Sequence, residues 1–249
     1  MKRIMLTVAY DGTNYHGWQK QPQAITVESV LNKALSELFN EKIEVIGASR
    51  TDTGVHSLGN IAVFDTNARM PADKVCYALN QRLPEDISIQ DSREVPLDYH
   101  PRHHESQKTY EYKILNCKFP MPVYRLYSYF TYISLDVERM QKAAAYLVGE
   151  HDFKSFCSVN TTAETTVRTI YELNVSKSGD MISIRVTGSG FLYNMVRIIA
   201  GTLMEVGRGS IEPKEIPDIL NALDRKMAGP TAPACGLTLV SYKYTDIIL

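Results

Sequence analysis

Alternation of apolar and polar residues over residues 3–10 is the feature that most limits what this chain can fold into. Ile4, Leu6, Val8 and Tyr10 fall on one side of an extended segment. A period of two specifies a strand with one buried face. Asp11-Gly12-Thr13-Asn14 then interrupts the strand with turn chemistry. After the turn the period changes. Val27, Val30, Leu31, Ala34, Leu35 and Leu38 recur at helical spacing, and Thr26 stands where an N-cap is needed.

The two periods continue to alternate along the chain. Short strands are expected at 43–46 and 61–64, on either side of a polar loop at 47–59. Pro71 opens a helix that runs to about Arg82 and stops before Pro84. Strands are expected at 87–89 and 108–115, and Asp136 caps a helix carrying Val137, Met140, Ala144 and Leu147. Strands at 171–175 and 182–186 precede a long helix at 193–206, which Gly207 is expected to end. Pro213 begins a further helix, and 237–242 closes the chain as a strand. This order suits an α+β fold with a mostly antiparallel central sheet and helices on one face. The halves also echo one another. Strand 6–10 leads into Gly12 and Tyr15, and strand 182–186 leads into Gly188, Gly190 and Phe191. Two similar βαβ-type halves are therefore expected, an N-terminal half at 1–104 and a C-terminal half at 105–249.

Composition narrows the class of protein. A chain of 249 residues with 44% apolar and 22% charged side chains can bury one large core or two small ones. No stretch reaches the roughly 18 apolar residues of a membrane span, and the start lacks the pattern of a secretory signal, so a soluble cytoplasmic protein is expected. Cys76, Cys117, Cys157 and Cys235 are widely spaced and form no metal-ligand pattern; free thiols and no zinc site are expected. Net charge is −1, which by itself weighs against nucleic acid. A nucleic-acid binder of this charge must gather its cations into one cleft. Arg102, His103, His104 and Lys108 form a local basic cluster, and Arg50, Arg168 and Arg197 are expected beside them.

The stretch richest in chemistry is Ala48-Ser49-Arg50-Thr51-Asp52-Thr53-Gly54-Val55-His56-Ser57, in the polar loop between two strands. Loops held by a sheet commonly present reactive groups. On residue types alone, Asp52 reads first as a turn residue or helix N-cap, and Arg50 as a solvated side chain. Arg, Asp and His bracketed by small residues also give a charged group close access to a ligand.

Arg50-Thr51-Asp52-x-Gly54-Val55-His56 resembles the catalytic loop of the bacterial tRNA pseudouridine synthase A family. Other stretches resemble that family in order. They are Tyr10-Asp11-Gly12-Thr13-x-Tyr15-x-Gly17-Trp18-Gln19, Lys108-Thr109-Tyr110-x-Tyr112, and Gly149-x-His151-Asp152-Phe153-x-Ser155-Phe156. Phe191-Leu192-Tyr193-x-Met195-Val196-Arg197-x-Ile199-x-Gly201 and the closing Gly236-Leu237-x-Leu239 complete the set. Ser49 and Thr53 depart from the family's usual Gly and Ala, which bears on loop geometry and on the choice of target uridine.

The resemblance implies a pseudouridine synthase fold and isomerisation of uridine in the anticodon stem-loop of tRNA, at positions 38, 39 and 40. It implies Asp52 as the catalytic carboxylate, acting either as nucleophile or as base at the sugar. It places Arg197 as the partner of that carboxylate, and the apolar neighbours Met195, Val196, Ile198 and Ile199 make an unpaired arginine there costly. Tyr110 is expected to stack on the uracil, with Tyr112 an ordinary strand tyrosine. Arg50 would fill the place of a flipped uridine or hold its phosphate, while Arg102 and Lys108 meet the substrate backbone. His56 is expected to structure the loop, and His100, His103 and His104 to face RNA or solvent rather than a metal. The reaction changes no redox state and loses no atom, so no cofactor is expected. The family pattern further implies a homodimer with tRNA bound across both subunits. Two rivals differ in class. A non-catalytic RNA-binding module would not need Asp52, and a hydrolase with an Asp nucleophile would need a metal or a second carboxylate.

Overall fold

The computed structural model describes residues 1–159, 161 and 163–247. The chain forms two compact units, Met1–Ser106 together with the segment from Leu239, and Gln107–Thr238.

In the first unit, β1 (Lys2–Tyr10) follows the alternation of its sequence, with Ile4, Leu6, Val8 and Tyr10 buried. These residues share a core with Val27, Leu31 and Leu35 of α1 (Val27–Phe39). The opposite face of β1 is also covered. Met5 is buried against Ala48, Ile61, Val63, Val95 and Tyr99, so the strand is not half-solvated as its pattern suggested. β2 (Ile46–Gly47) is a two-residue pairing with β3 (His56–Thr66). α2 (Val75–Asn80) follows a short 3-10 turn, and β4 (Ile87–Val95) lies antiparallel to β1. The strand order is β4-β1-β3.

β3 begins at His56, five residues earlier than its apolar stretch predicted, because Ser57 pairs with Tyr10 of β1. The polar loop is correspondingly shorter than the expected 47–59. Polar residues His56, Ser57 and Asn60 lie inside this strand and are buried, which is why an apolar pattern did not mark them.

In the second unit, β5 (Ser106–Asn116) pairs antiparallel with β9 (Met181–Gly188), which pairs with β8 (Val167–Ser178), and β7 (Gly149–Asp152) lies outside β8. β6 (Tyr129–Thr131) runs parallel to β5. The helices are α3 (Val137–Ala145), α4 (Met195–Arg208) and α5 (Ile216–Ala222). The last strand, β10 (Leu237–Tyr244), returns beside β3, so the chain's end belongs with its beginning. The result is an α+β fold with mostly antiparallel strands.

Gly207 does not end α4. The helix continues to Arg208 and stops at Gly209, whose φ of 84° and N–H donation to Glu205 and Val206 carbonyls make the C-cap. Gly207 serves close packing instead: a Cβ there would lie 2.9 Å from Met140 Sδ of α3.

Both expected N-caps are present. Thr26 accepts the Ser29 N–H at 3.3 Å, and Ser29 Oγ accepts the Thr26 N–H at 3.1 Å. Asp136 Oδ1 accepts the Arg139 N–H at 3.0 Å. Thr26→Ala is expected to lower the unfolding free energy by about 1 kcal/mol, measured by urea denaturation.

Candidate active site

Loop 48–55 is held by backbone contacts on two sides. From β3, Ala48 N–H donates to the Ile61 carbonyl at 2.7 Å, and Asn60 Nδ2 donates to the Ser49 carbonyl at 2.9 Å. Asn60 is fully buried, so its amide has to be satisfied within the protein, and this bond does so. From the turn after β1, Trp18 N–H donates to the Thr51 carbonyl at 3.1 Å and Gly54 N–H donates to the Tyr15 carbonyl at 3.2 Å. The Tyr10 hydroxyl and Thr51 Oγ1 are 2.8 Å apart in a buried hydrogen bond.

This approach is so close that side chains would block it. A Cβ on Gly12 would sit 2.0 Å from the Val55 carbonyl oxygen. On Gly17, whose φ is 80°, it would sit 2.4 Å from the Thr51 carbonyl oxygen. The first sequence stretch resembling the family is thus the clamp for the second.

Within the clamp, Val55 N–H donates to the Asp52 carbonyl at 3.1 Å and closes a turn. Thr51 and Val55 are buried, while Asp52 is half-buried and Arg50 is exposed. The carboxylate therefore stands on a short span with fixed ends. Ser49, one of the two departures, is buried with its carbonyl bound to Asn60; Thr53, the other, is exposed. His56 lies beneath the loop at 4% exposure. Its Nδ1 accepts the Gly12 N–H at 3.0 Å and is 3.1 Å from Asp11 Oδ1. The amide contact requires a bare Nδ1 and the carboxylate contact a protonated one, so either tautomer ties the imidazole to the clamp.

The segment carrying Arg102 is anchored to this unit. Arg3 bonds Asp65 through two nitrogens at 2.7 and 2.8 Å, and its Nη1 donates to the Tyr99 carbonyl at 2.7 Å. The guanidinium holds the Asp65 carboxyl below its usual pKa. Tyr244 donates its hydroxyl to the Pro101 carbonyl at 2.9 Å, and His104 Nδ1 lies 3.0 Å from Asp246. Arg102 Nε donates to the Gly47 carbonyl at 2.8 Å, which brings this arginine to the foot of the Asp52 loop. His100 and His103 stack with ring centres 3.9 Å apart. Burial, then the charges of His103 and Arg102, hold the His100 imidazole below its usual pKa. Among the described residues, no group of His, Cys, Asp or Glu side chains is placed to hold a metal ion.

The second unit carries the other candidates. Lys108 and Tyr110 lie on β5 with side chains on one face, about 7 Å apart along the strand. Tyr110 is buried, and its ring meets Phe191 edge-on at 5.3 Å. Tyr112, next on that face, is fully buried and donates its hydroxyl to the Pro233 carbonyl at 2.9 Å. Arg197 is half-buried on α4, and its Nε donates to the Ala232 carbonyl at 2.7 Å. Residues 232 and 233 therefore tie the strand of Tyr110 to the helix of Arg197. Arg168 folds back on the chain leading into its strand, with Nη1 donating to the Thr165 and Val167 carbonyls at 3.0 and 2.6 Å.

A sequence profile described as tRNA pseudouridine synthase matches residues 6–104 and 143–245. The chain belongs to the tRNA pseudouridine synthase family. The tRNA pseudouridine synthase A of Acetivibrio thermocellus is 49% identical over 244 residues, covering 98% of this chain and 100% of that protein. That of Ruminiclostridium cellulolyticum is 51% identical over 245 residues, with the same coverage of each. Members of this family of isomerases thus align with 98% of the chain. The profile match omits 105–142, and so does not itself cover Lys108 or Tyr110.

In this family member, Asn60 and Asn194 are polar residues that sequence reasoning passed over. Asn60 sits in β3 just before its apolar run and Asn194 immediately before α4, and neither carries a motif that singles it out. A polar residue interrupting an apolar strand is the signal that could have marked Asn60. Gly17→Ala is expected to destabilise the first unit by roughly 1–3 kcal/mol, because the methyl meets a backbone carbonyl. Gly59→Ala, with a nearest contact of 3.4 Å to Thr7 Cγ2, should unfold near wild type in the same urea titration.

Proposed function

We propose that the chain isomerises uridine to pseudouridine at positions 38, 39 and 40 of the tRNA anticodon stem-loop, with Asp52 as the catalytic carboxylate. The observation that carries this reading is the clamp. Backbone bonds from two elements fix loop 48–55 while leaving Asp52 half-exposed. A group that must meet a sugar carbon within a fraction of an ångström needs such a support.

The reaction breaks the N1–C1′ bond, turns the uracil and forms the C5–C1′ bond. The proton on C5 is lost and N1 gains one, so atoms and charge balance without an external oxidant or reductant. An ionised carboxylate serves either route. It can attack C1′ and hold the sugar while the base turns, or it can remove a proton from the sugar. At pH 7 a carboxyl group with a reference pKa of about 3.9 is ionised.

Arg197 supplies the cation that keeps Asp52 ionised and aimed, as the resemblance implies. Tyr110 stacks on the uracil, and its edge-on contact with Phe191 braces the ring. Arg50, exposed beside Asp52, takes the place vacated by the flipped uridine and offsets part of the unstacking free energy. Arg102 and Lys108 hold substrate phosphates, with Arg102 also fixing the Gly47 carbonyl. Two subunits share one tRNA, which lets a chain of net charge −1 present a concentrated basic surface. Among the described residues no helix is long and apolar enough to cross a membrane. The proposed substrate places the protein in the cytoplasm.

Asp52→Asn is expected to lower single-turnover pseudouridine formation by at least about a hundredfold while tRNA still binds. Wild-type activity should persist in excess EDTA, since the isomerisation needs no metal. A non-catalytic RNA-binding module would give tRNA binding and no pseudouridine in either protein. Lys108→Ala should weaken binding to all tRNAs alike and reduce the slope of log affinity against log salt by about one. Arg50→Ala should instead lower turnover more than affinity. Identical profiles for these two variants would refute the division of roles.

A further inference from the structure

Asn194 stands immediately before α4 with φ 60° and ψ 7°, in the left-handed region. Asparagine tolerates that region better than most side chains, yet backbone held there is strained, and such strain gathers at functional positions. An asparagine at a helix N-cap ordinarily turns back to accept an N–H of the first turn. Among the described residues, the Asn194 side chain makes no such bond.

Its amide is engaged elsewhere. Asn194 Oδ1 accepts from Arg197 Nη1 at 2.8 Å, and Asn194 Nδ2 donates to Ser158 Oγ at 2.8 Å. Ser158 is itself held, its N–H donating to the Tyr193 carbonyl at 3.1 Å. The amide cannot turn over without setting its NH2 against the guanidinium, donor facing donor. Arg197 Nε is bound to the Ala232 carbonyl at 2.7 Å, so the planar guanidinium is fixed at two nitrogens and its plane is set.

We propose that Asn194 is a positioning residue for Arg197, giving up its helix cap in a strained backbone conformation to aim the guanidinium. This inference rests on the role given to Arg197 under the proposed function. An ordinary cap would affect folding and leave turnover alone. A positioning residue affects turnover through Arg197 and nothing else.

The test compares single-turnover pseudouridine formation and tRNA Kd in wild type, Asn194→Gly, Arg197→Lys and the double variant. Glycine accepts the left-handed conformation, so Asn194→Gly removes the amide while keeping the backbone. Its rate is expected to fall about tenfold or more, because a misaimed group loses catalysis steeply with displacement. Its tRNA Kd should stay within about twofold of wild type, since the lost interaction acts in the transition state. The double variant should react no more slowly than Arg197→Lys alone, since residues acting as a unit are not additive.

A wild-type rate in Asn194→Gly beside a slow Arg197→Lys would overturn the positioning role and spare Arg197. Losses that multiply in the double variant would overturn it as well. A wild-type rate in Arg197→Lys would instead remove the role proposed for Arg197. Should Asn194→Gly fail to fold, Ser158→Ala decides, because it leaves the strained residue in place and removes the group that orients its amide. A slower rate with unchanged Kd supports the inference, and an unchanged rate overturns it.

Discussion

The closeness of two backbone segments governs the candidate site. The turn after β1 and loop 48–55 approach until a single methyl on Gly12 or Gly17 would strike a carbonyl oxygen. That approach lets Trp18 N–H and Gly54 N–H cross between them. Because these are backbone bonds, their geometry does not depend on side-chain rotamers, and loop 48–55 inherits the rigidity of the sheet. Asp52 then lies with Thr53 and Gly54 on the accessible span between buried Thr51 and Val55, itself half-exposed. Catalysis by a carboxylate depends on placement more than on abundance of charge, so the clamp is the physical basis of the proposed function.

Buried polar groups reinforce the same arrangement. Asn60, Thr51 and Tyr10 each satisfy a hydrogen bond inside the first unit, and each bond ends on the loop. Leaving any of these groups unpaired would cost about 1–3 kcal/mol, so the bonds select one loop conformation as well as stabilising it. The anchors of the Arg102 segment follow the same logic. Tyrosines of the final strand and Arg3 of the first grip segment 99–104, and Arg102 reaches the Gly47 carbonyl from there.

The second unit applies a comparable device to a cation. Arg197 lies on a helix whose other side chains are largely buried, and carbonyl and amide oxygens at Ala232 and Asn194 accept two of its nitrogens. The Pro233 carbonyl beside Ala232 accepts the Tyr112 hydroxyl. One turn of chain thereby links the strand of Tyr110 to the helix of Arg197. Neither link relies on surface ion pairs, which are worth little in water.

Much was legible in the sequence because local chemistry decides it. Period-two and period-3.6 patterns located most strands and helices, Thr26 and Asp136 capped as their side chains allow, and ordered stretches from Tyr10 to Leu239 carried the family resemblance. Features that depend on a partner distant in sequence were hidden. β3 starts at His56 because Ser57 pairs with Tyr10, and Gly207 serves close packing because Met140 lies against it. The second face of β1 is buried because Tyr99, from the segment after β4, packs in one cluster with Met5, Val63 and Val95. The sequence by itself determined which residues could carry the chemistry, since a carboxylate, a guanidinium or a glycine acts through its own atoms. Only the tertiary structure decided how each is held. The bonds that tie Asp52's loop to Tyr10 and Asn60, and Arg197 to the Ala232 carbonyl, join residues 11 to 41 positions apart, and no local pattern encodes contacts across such a distance.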